Sequence, residues 1–157
     1  VCVATMSSKD EAGLNLLTGR LFREFADTVD NVARQAEVRV FVLRSADPDF
    51  WLAHFDVHQI LKQEVRPQGA RETAPNPWYS LAEQLRCLPK PTIAEMAGRV
   101  GGGGNEFAMN CDMRFGVRGM KFCQMEVPLG ITPGGTGCVQ LPRLVGTGRA
   151  LEMILSG

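Results

Sequence analysis

Four consecutive glycines, residues 101–104, sit between a strand-like and a helix-like segment and constrain this chain more than any other feature. Glycine loses more backbone freedom on folding than any other residue, so a run of four destabilises unless the structure requires it. A tight turn needs one or two. The rest imply backbone that approaches another group closely, with free N–H groups at the start of the following helix. The dinucleotide fingerprint G-x-G-x-x-G does not fit, because Glu106 stands where its third glycine belongs. A second glycine-rich loop, GITPGGTG at residues 130–137, echoes a phosphate-binding loop, but Thr136 occupies the lysine position. A site where backbone donors face charge developing on a carbonyl oxygen is the reading that remains.

The segments around these loops alternate in type. VCVATM reads as a short strand, and the β-branched residues 38–45 read as a buried one. Leu17, Leu21, Phe22, Phe25, Val29 and Val32 recur at helical spacing, with Thr18 as the N-cap. A turn, ADPD, follows the second strand, and residues 56–62 form a helical turn or two. Residues 64–77 are polar and read as a mobile loop before a helix over 78–87. PTIAEMAG reads as a strand running into a turn, NEFAMNCD as a helix, DMRFGV as a strand and KFCQMEV as a short extended piece. Two short helices separated by Gly146 close the chain. No composition break or short-period repeat divides it, so residues 1–157 read as one α/β domain.

Composition narrows the function. Seventeen basic and 17 acidic residues cancel, which argues against a nucleic-acid arm or a polybasic membrane anchor. No apolar run reaches the roughly 18 residues of a membrane span, and the N-terminus carries no secretory signal pattern. Five cysteines, an odd number without C-x-x-C spacing, argue against a disulfide framework or structural zinc and suggest buried thiols in a reducing compartment. Cytoplasm is the default location; a processed start at Val1 also fits a mitochondrial protein.

Two carboxylates flank the glycine loops. Glu106 falls in the first turn of the helix after the glycines, and Glu126 lies in the apolar segment CQMEVPLG. A carboxyl in apolar surroundings has a raised pKa, suited to general acid or base work. A solvated helix-start charge and a surface residue on a short strand explain the two equally well when each is taken alone. His54 and His58, four apart in FWLAHFDVH around Asp56, would share a helix face. They lack a third ligand, so no metal site is expected. Cys111 and Cys138 have no histidine close in sequence, which makes a thiol nucleophile a poor reading.

Three blocks of the chain resemble the crotonase superfamily, the enoyl-CoA hydratase/isomerase family. LPKPTIAEMAGRVGGGGNEFAMNCDMRFG is similar to the family's Pro-Lys-Pro strand, glycine turn and Glu-bearing helix. KFCQMEVPLGITPGGTGCVQLPRLVGTGRALEMILSG is similar to its following block, and VFVLRSADPDFWLAHFDV to its earlier one. The resemblance implies a spiral of β-β-α repeats. It implies that the N–H groups of Phe55 and Gly103 hold a thioester oxygen, and that Glu106 and Glu126 are the acid–base pair. Ala53, His54, Asp56, Gly102, Pro133 and Gly134 would border the substrate. The implied reaction is addition of water across the α,β double bond of an acyl-CoA. No separate cofactor is expected, since coenzyme A is part of the substrate. An isomerase, hydrolase or C–C lyase using the same enolate, or a non-catalytic binding protein, are the alternatives.

Some residues depart from the family pattern. His54 stands where it has glycine, Met125 where it has proline, and Gly101 extends the glycine run. The chain ends at Gly157, ahead of the family's C-terminal helices. The resemblance therefore implies a piece of a longer protein, a homotrimer or hexamer when whole, whose partner is an acyl-CoA rather than nucleic acid or membrane.

Overall fold

The computed structural model describes residues 1–62 and 76–157. Most of the stretch read as a mobile loop, residues 64–77, lies outside the described residues. Strand β1 (Cys2–Met6) leads to helix α1 (Gly19–Arg34). The next turn of chain is β2 (Phe41–Ser45), β3 (Phe50–Leu52) and the short α2 (Val57–Leu61). Helix α3 (Pro77–Arg86) precedes the second turn: β4 (Thr92–Met96), β5 (Arg99–Gly101) and α4 (Gly103–Met109). The third is β6 (Met113–Gly116), β7 (Lys121–Cys123), a 3-10 turn at Val127–Leu129 and α5 (Gly137–Val145), with α6 (Thr147–Ser156) last.

Each turn adds one strand to each of two parallel sheets. One sheet has the order β1-β2-β4-β6, the other β3-β5-β7. Val42 pairs with Ile93 and Ile93 with Met113, while Phe50 pairs with Arg99 and Arg99 with Lys121. This is the expected β-β-α spiral. Strand β2 buries one face through Phe41 and Leu43, each without exposed surface, while Val42 and Arg44 on the other face are half-buried and exposed.

Helix α1 covers the first sheet through Leu21, Phe25, Val29 and Val32, the face its periodicity predicts. Burying each contributes roughly 1.5–3 kcal/mol. Thr18 caps it by accepting from the Leu21 N–H, and Lys90 of the Pro-Lys-Pro segment donates to the Val32 and Gln35 carbonyls at its other end. The turn from β2 to β3 is tied by Asp47, which accepts from the Asp49 and Phe50 N–H groups and pairs with Lys9 at 2.9 Å.

The sequence reading needs four corrections here. The second strand starts at Phe41 rather than residue 38. Strands β3 and β5 carry no assignment in the sequence, because three-residue strands are too short to show a period. Helix α4 begins inside the glycine run, at Gly103, and ends at Met109. Of the cysteines only Cys111 is buried; Cys87 and Cys138 are exposed.

Candidate active site

The glycine run crosses from β5 into α4, and close packing explains its length. A Cβ on Gly101 would lie 2.3 Å from the Ala53 carbonyl oxygen, and one on Gly104 2.6 Å from that of Leu52. Both are backbone atoms of the β3 segment that cannot move aside. Gly102 has φ +45°, a region L side chains rarely adopt. Its N–H is spent on the Cys123 carbonyl at 3.1 Å.

Gly103 is the first residue of α4, so its N–H has no partner within the helix. A Cβ built there would lie 3.4 Å from the Phe55 Cβ, so these two predicted residues are neighbours. Phe55 bridges Leu17 in parallel fashion. The Leu17 N–H donates to the His54 carbonyl and the Asp56 N–H to the Leu17 carbonyl, which turns the Phe55 N–H away from Leu17. Among the described residues neither the Phe55 nor the Gly103 N–H donates to a backbone carbonyl.

Glu106 sits one turn along α4 and is only 3% exposed. Its Oε1 accepts from the Gly135 N–H at 2.9 Å and the Gly137 N–H at 2.8 Å. Burial pushes its carboxyl up to about 7, and the charge of Glu126 adds to that; the Gly137 and Gly135 donors pull the other way. Glu126 follows β7 and is 8% exposed. Burial raises its pKa too, opposed by the Gln124 amide and by His54. The Gln124 Nε2 lies 3.1 Å from both Glu126 oxygens, and the Gln124 Oε1 accepts from the Asn105 Nδ2 at 2.9 Å. Neither glutamate is a solvated surface charge.

The two carboxylates line one cleft of about 310 Å³, together with Phe55, Trp78, Ile131 and Gly134. Trp78, from α3, forms its aromatic wall. Its ring stacks on Phe22 with centroids 5.7 Å apart and packs on Phe107 at 4.9 Å, with Phe55 edge-on at 5.5 Å. A Cβ on Gly103 would strike this ring at 2.7 Å.

Of the predicted border residues Gly134 lines this cleft, while Ala53, His54, Asp56, Gly102 and Pro133 fall outside its lining. Ala53 is buried, its N–H on the Asn15 carbonyl at 2.8 Å. The Asp56 carboxylate caps α2, accepting from the His58 N–H and the Gln59 amide. Pro133 is buried beneath Gly137, with its Cβ 2.7 Å from where a Gly137 Cβ would stand. His54 lies before α2, not on it, so it shares no helix face with His58. Its Nδ1 is 2.7 Å from the Phe55 carbonyl oxygen. Among the described residues no group of three His, Cys, Asp or Glu side chains could hold a metal ion. The Cys111 thiol is pushed up to about 12 by burial, which keeps it protonated.

Sequence reasoning missed Trp78, Gln124, Asn105 and the donors Gly135 and Gly137. Gln124 and Glu126 lie past the end of β7, where the chain turns and Glu126 has helical dihedrals, so no strand alternation links them. All of these residues come together through the tertiary fold alone.

A parallel β-β-α spiral thus places two buried carboxylates in one cleft, beside backbone N–H groups that among the described residues have no backbone partner. The chain belongs to the enoyl-CoA hydratase/isomerase family, whose model matches residues 1–157. It is 33% identical over 144 residues to a mitochondrial methylglutaconyl-CoA hydratase of Mus musculus, covering 92% of this chain and 45% of that protein. It is 31% identical over 154 residues to a short-chain-enoyl-CoA hydratase of Clostridium acetobutylicum, covering 98% and 58%. The chain spans about half the length of the curated relatives it matches. Among solved structures, an enoyl-CoA hydratase from Bacillus anthracis superposes with a TM-score of 0.81 at 30% identity, covering 99% of this chain and 59% of that one. DspI of Pseudomonas aeruginosa superposes at 0.84 and 27%, covering 98% and 61%. No helix among the described residues is long and apolar enough to cross a membrane.

Proposed function

We propose that the protein hydrates an α,β-unsaturated acyl-CoA. The observation that carries this reading is the placing of Glu106 and Glu126 in one cleft with Phe55, whose neighbour is Gly103. In this reading the N–H groups of Phe55 and Gly103 receive the thioester oxygen. Preorganised donors aimed at a developing oxyanion stabilise the transition state without reorganising.

The carboxylates hold one water between them. One takes a proton from it as the oxygen adds to the β-carbon, and the electron pair of the double bond moves toward the thioester as an enolate. A proton then passes to the α-carbon on the same face. With its carboxyl near 7, Glu106 is poised to give or take a proton around neutrality. The acid and base roles belong to the pair, because the two titrations are coupled. Coenzyme A travels with the substrate, so the reaction calls for no separate cofactor, and the longer protein assembles as a trimer or hexamer.

The test is loss of the conjugated-thioester absorbance of crotonyl-CoA with the full-length protein. Turnover abolished by Glu126→Gln, with the fold intact, supports hydration; unchanged turnover in that variant overturns the two-carboxylate mechanism. His54 favours a second reading, in which the same enolate serves an isomerase, hydrolase or C–C lyase. A Cβ on Gly102 would stand 3.5 Å from the His54 Cβ and 2.9 Å from the Glu126 Oε1, so Gly102 lies between the two residues. That reading expects His54→Gly to change the acyl-CoA products.

A further inference from the structure

The loop that supplies the Glu106 donors is bent in a way its sequence resists. Thr136 has φ 122° and ψ −7°, and among the described residues it is the one non-glycine residue with positive φ. A β-branched side chain disfavours that region strongly. Such a conformation persists only where the surroundings over-determine it, and it concentrates where geometry matters for function.

Here the surroundings are three anchors. The Trp78 Nε1 donates to the Gly135 carbonyl. The Thr136 carbonyl accepts from the Val139 N–H at 2.9 Å and the Gln140 N–H at 2.8 Å, which starts α5. The Asn110 Nδ2 donates to the Thr136 Oγ1 at 2.9 Å and to the Glu106 carbonyl at 2.7 Å. Asn110 is 3% exposed, at the C-terminal end of α4. A buried amide is costly without partners. This one spends its N–H groups on joining the helix that carries Glu106 to the loop that wraps it.

We infer that Asn110 is a positioning residue for Glu106, acting through Thr136. It holds Thr136 in its strained conformation, and that conformation aims the N–H groups on either side, of Gly135 and Gly137, at the single oxygen Oε1. Released, Thr136 relaxes to negative φ, the flanking peptide planes rotate and the two donors leave the carboxylate. The donors favour the ionised form while burial and Glu126 oppose it, so the anchor sets where Glu106 titrates. The charged group facing Glu106 is Glu126, from the segment after β7. Glu126 is faced in turn by His54, from the loop after β3, and the other polar neighbours, Trp78 and Gln124, are neutral.

This inference rests on the reading of Glu106 as an acid–base group, so its test has a readout that needs no turnover. The full-length protein is labelled with carbon-13 at the glutamate carboxyls, and Glu106, assigned by its loss in Glu106→Gln, is followed by NMR across pH. The pH profile of kcat with crotonyl-CoA is recorded in parallel. Asn110→Leu and Thr136→Val are expected to move the Glu106 titration, and the limb of the profile it sets, upward by about one pH unit. Thr136→Ser keeps the hydroxyl and is expected to leave both in place. An unmoved titration in folded Thr136→Val overturns the inference, and so does an equal shift in Thr136→Ser. A fall in kcat with an unmoved profile overturns it too, since a merely structural role would act that way. Should Asn110→Leu fail to fold, the Thr136 pair decides alone. Should the parent not hydrate crotonyl-CoA, the functional reading fails while the NMR titration still decides the anchor.

Discussion

The two glycine-rich loops look alike in sequence and do opposite things with their backbone donors. The first, entering α4, leaves the Gly103 N–H beside Phe55 without a backbone partner among the described residues. The second, entering α5, commits the Gly135 and Gly137 N–H groups to the buried Glu106 carboxylate. One loop leaves a donor uncommitted to backbone; the other is a finished site whose anion belongs to the chain. A helix N-terminus attracts negative charge, but the fold decides whether that charge is a ligand or a neighbouring side chain.

The largest expected effect separates the carboxylate from the loop that holds it. Glu106→Gln keeps an Oε1 able to accept from both glycines, so the second loop stays folded, while proton transfer at that position is lost. Turnover of crotonyl-CoA is expected to fall about 10²–10⁴-fold, with an unchanged circular dichroism spectrum. A comparable fall is expected for Glu126→Gln. A Glu106→Gln enzyme with full turnover would reduce Glu106 to a structural anchor and leave only the first loop functional.

The same variant sharpens the comparison through stability. Folded Glu106 titrates near 7 against an ordinary 4.5. The folded state therefore binds the proton more tightly than the unfolded chain. Stability from this group is fully present below about 4.5 and is lost as pH rises through about 7. Glutamine, which never ionises, escapes that loss. Urea unfolding at pH 5 and pH 8 is expected to show Glu106→Gln gaining on the parent by on the order of 3 kcal/mol at the higher pH. An equal difference at both pH values would mean that the Gly135 and Gly137 donors repay the burial of the charge in full.

How much of this was legible in the sequence depends on the range of the interactions. Thr18 capping α1 and the stripe from Leu21 to Val32 are local, and periodicity locates them. Glu106 and Glu126 are ambiguous one at a time, since a solvated charge explains each as well; only the fold brings them into one cleft. The three-residue strands β3 and β5 are not legible, since their stability comes from pairing with each other and with β7. The Gly135 donors, Trp78 and Asn110 are invisible for the same reason: Trp78 meets Gly135 across 57 positions, and the Asn110 amide meets Thr136 across 26. The resemblance of the glycine, Glu and Pro-Gly blocks to a known family places the glutamates but says nothing about what holds them.

Space at the glycines gives the two smaller tests. In the second loop, a Cβ on Gly135 would stand 2.1 Å from the Glu106 Oε2 and 2.1 Å from the Trp78 Nε1. Gly135→Ala is expected to lower stability by about 1–3 kcal/mol, the usual range for overpacking, and to break the Trp78 hydrogen bond, which tryptophan fluorescence would report. The contrast is Gly148, in α6, with nothing within 4 Å of a built Cβ and no positive φ. Alanine there meets no neighbour, favours the helix and narrows the unfolded ensemble, so Gly148→Ala is expected to raise stability by about 0.5 kcal/mol. Thermal unfolding of the two variants beside the parent tests whether close approach requires glycine at Gly135 and not at Gly148. A destabilised Gly148→Ala would show that α6 packs closely there against parts of the protein beyond these residues.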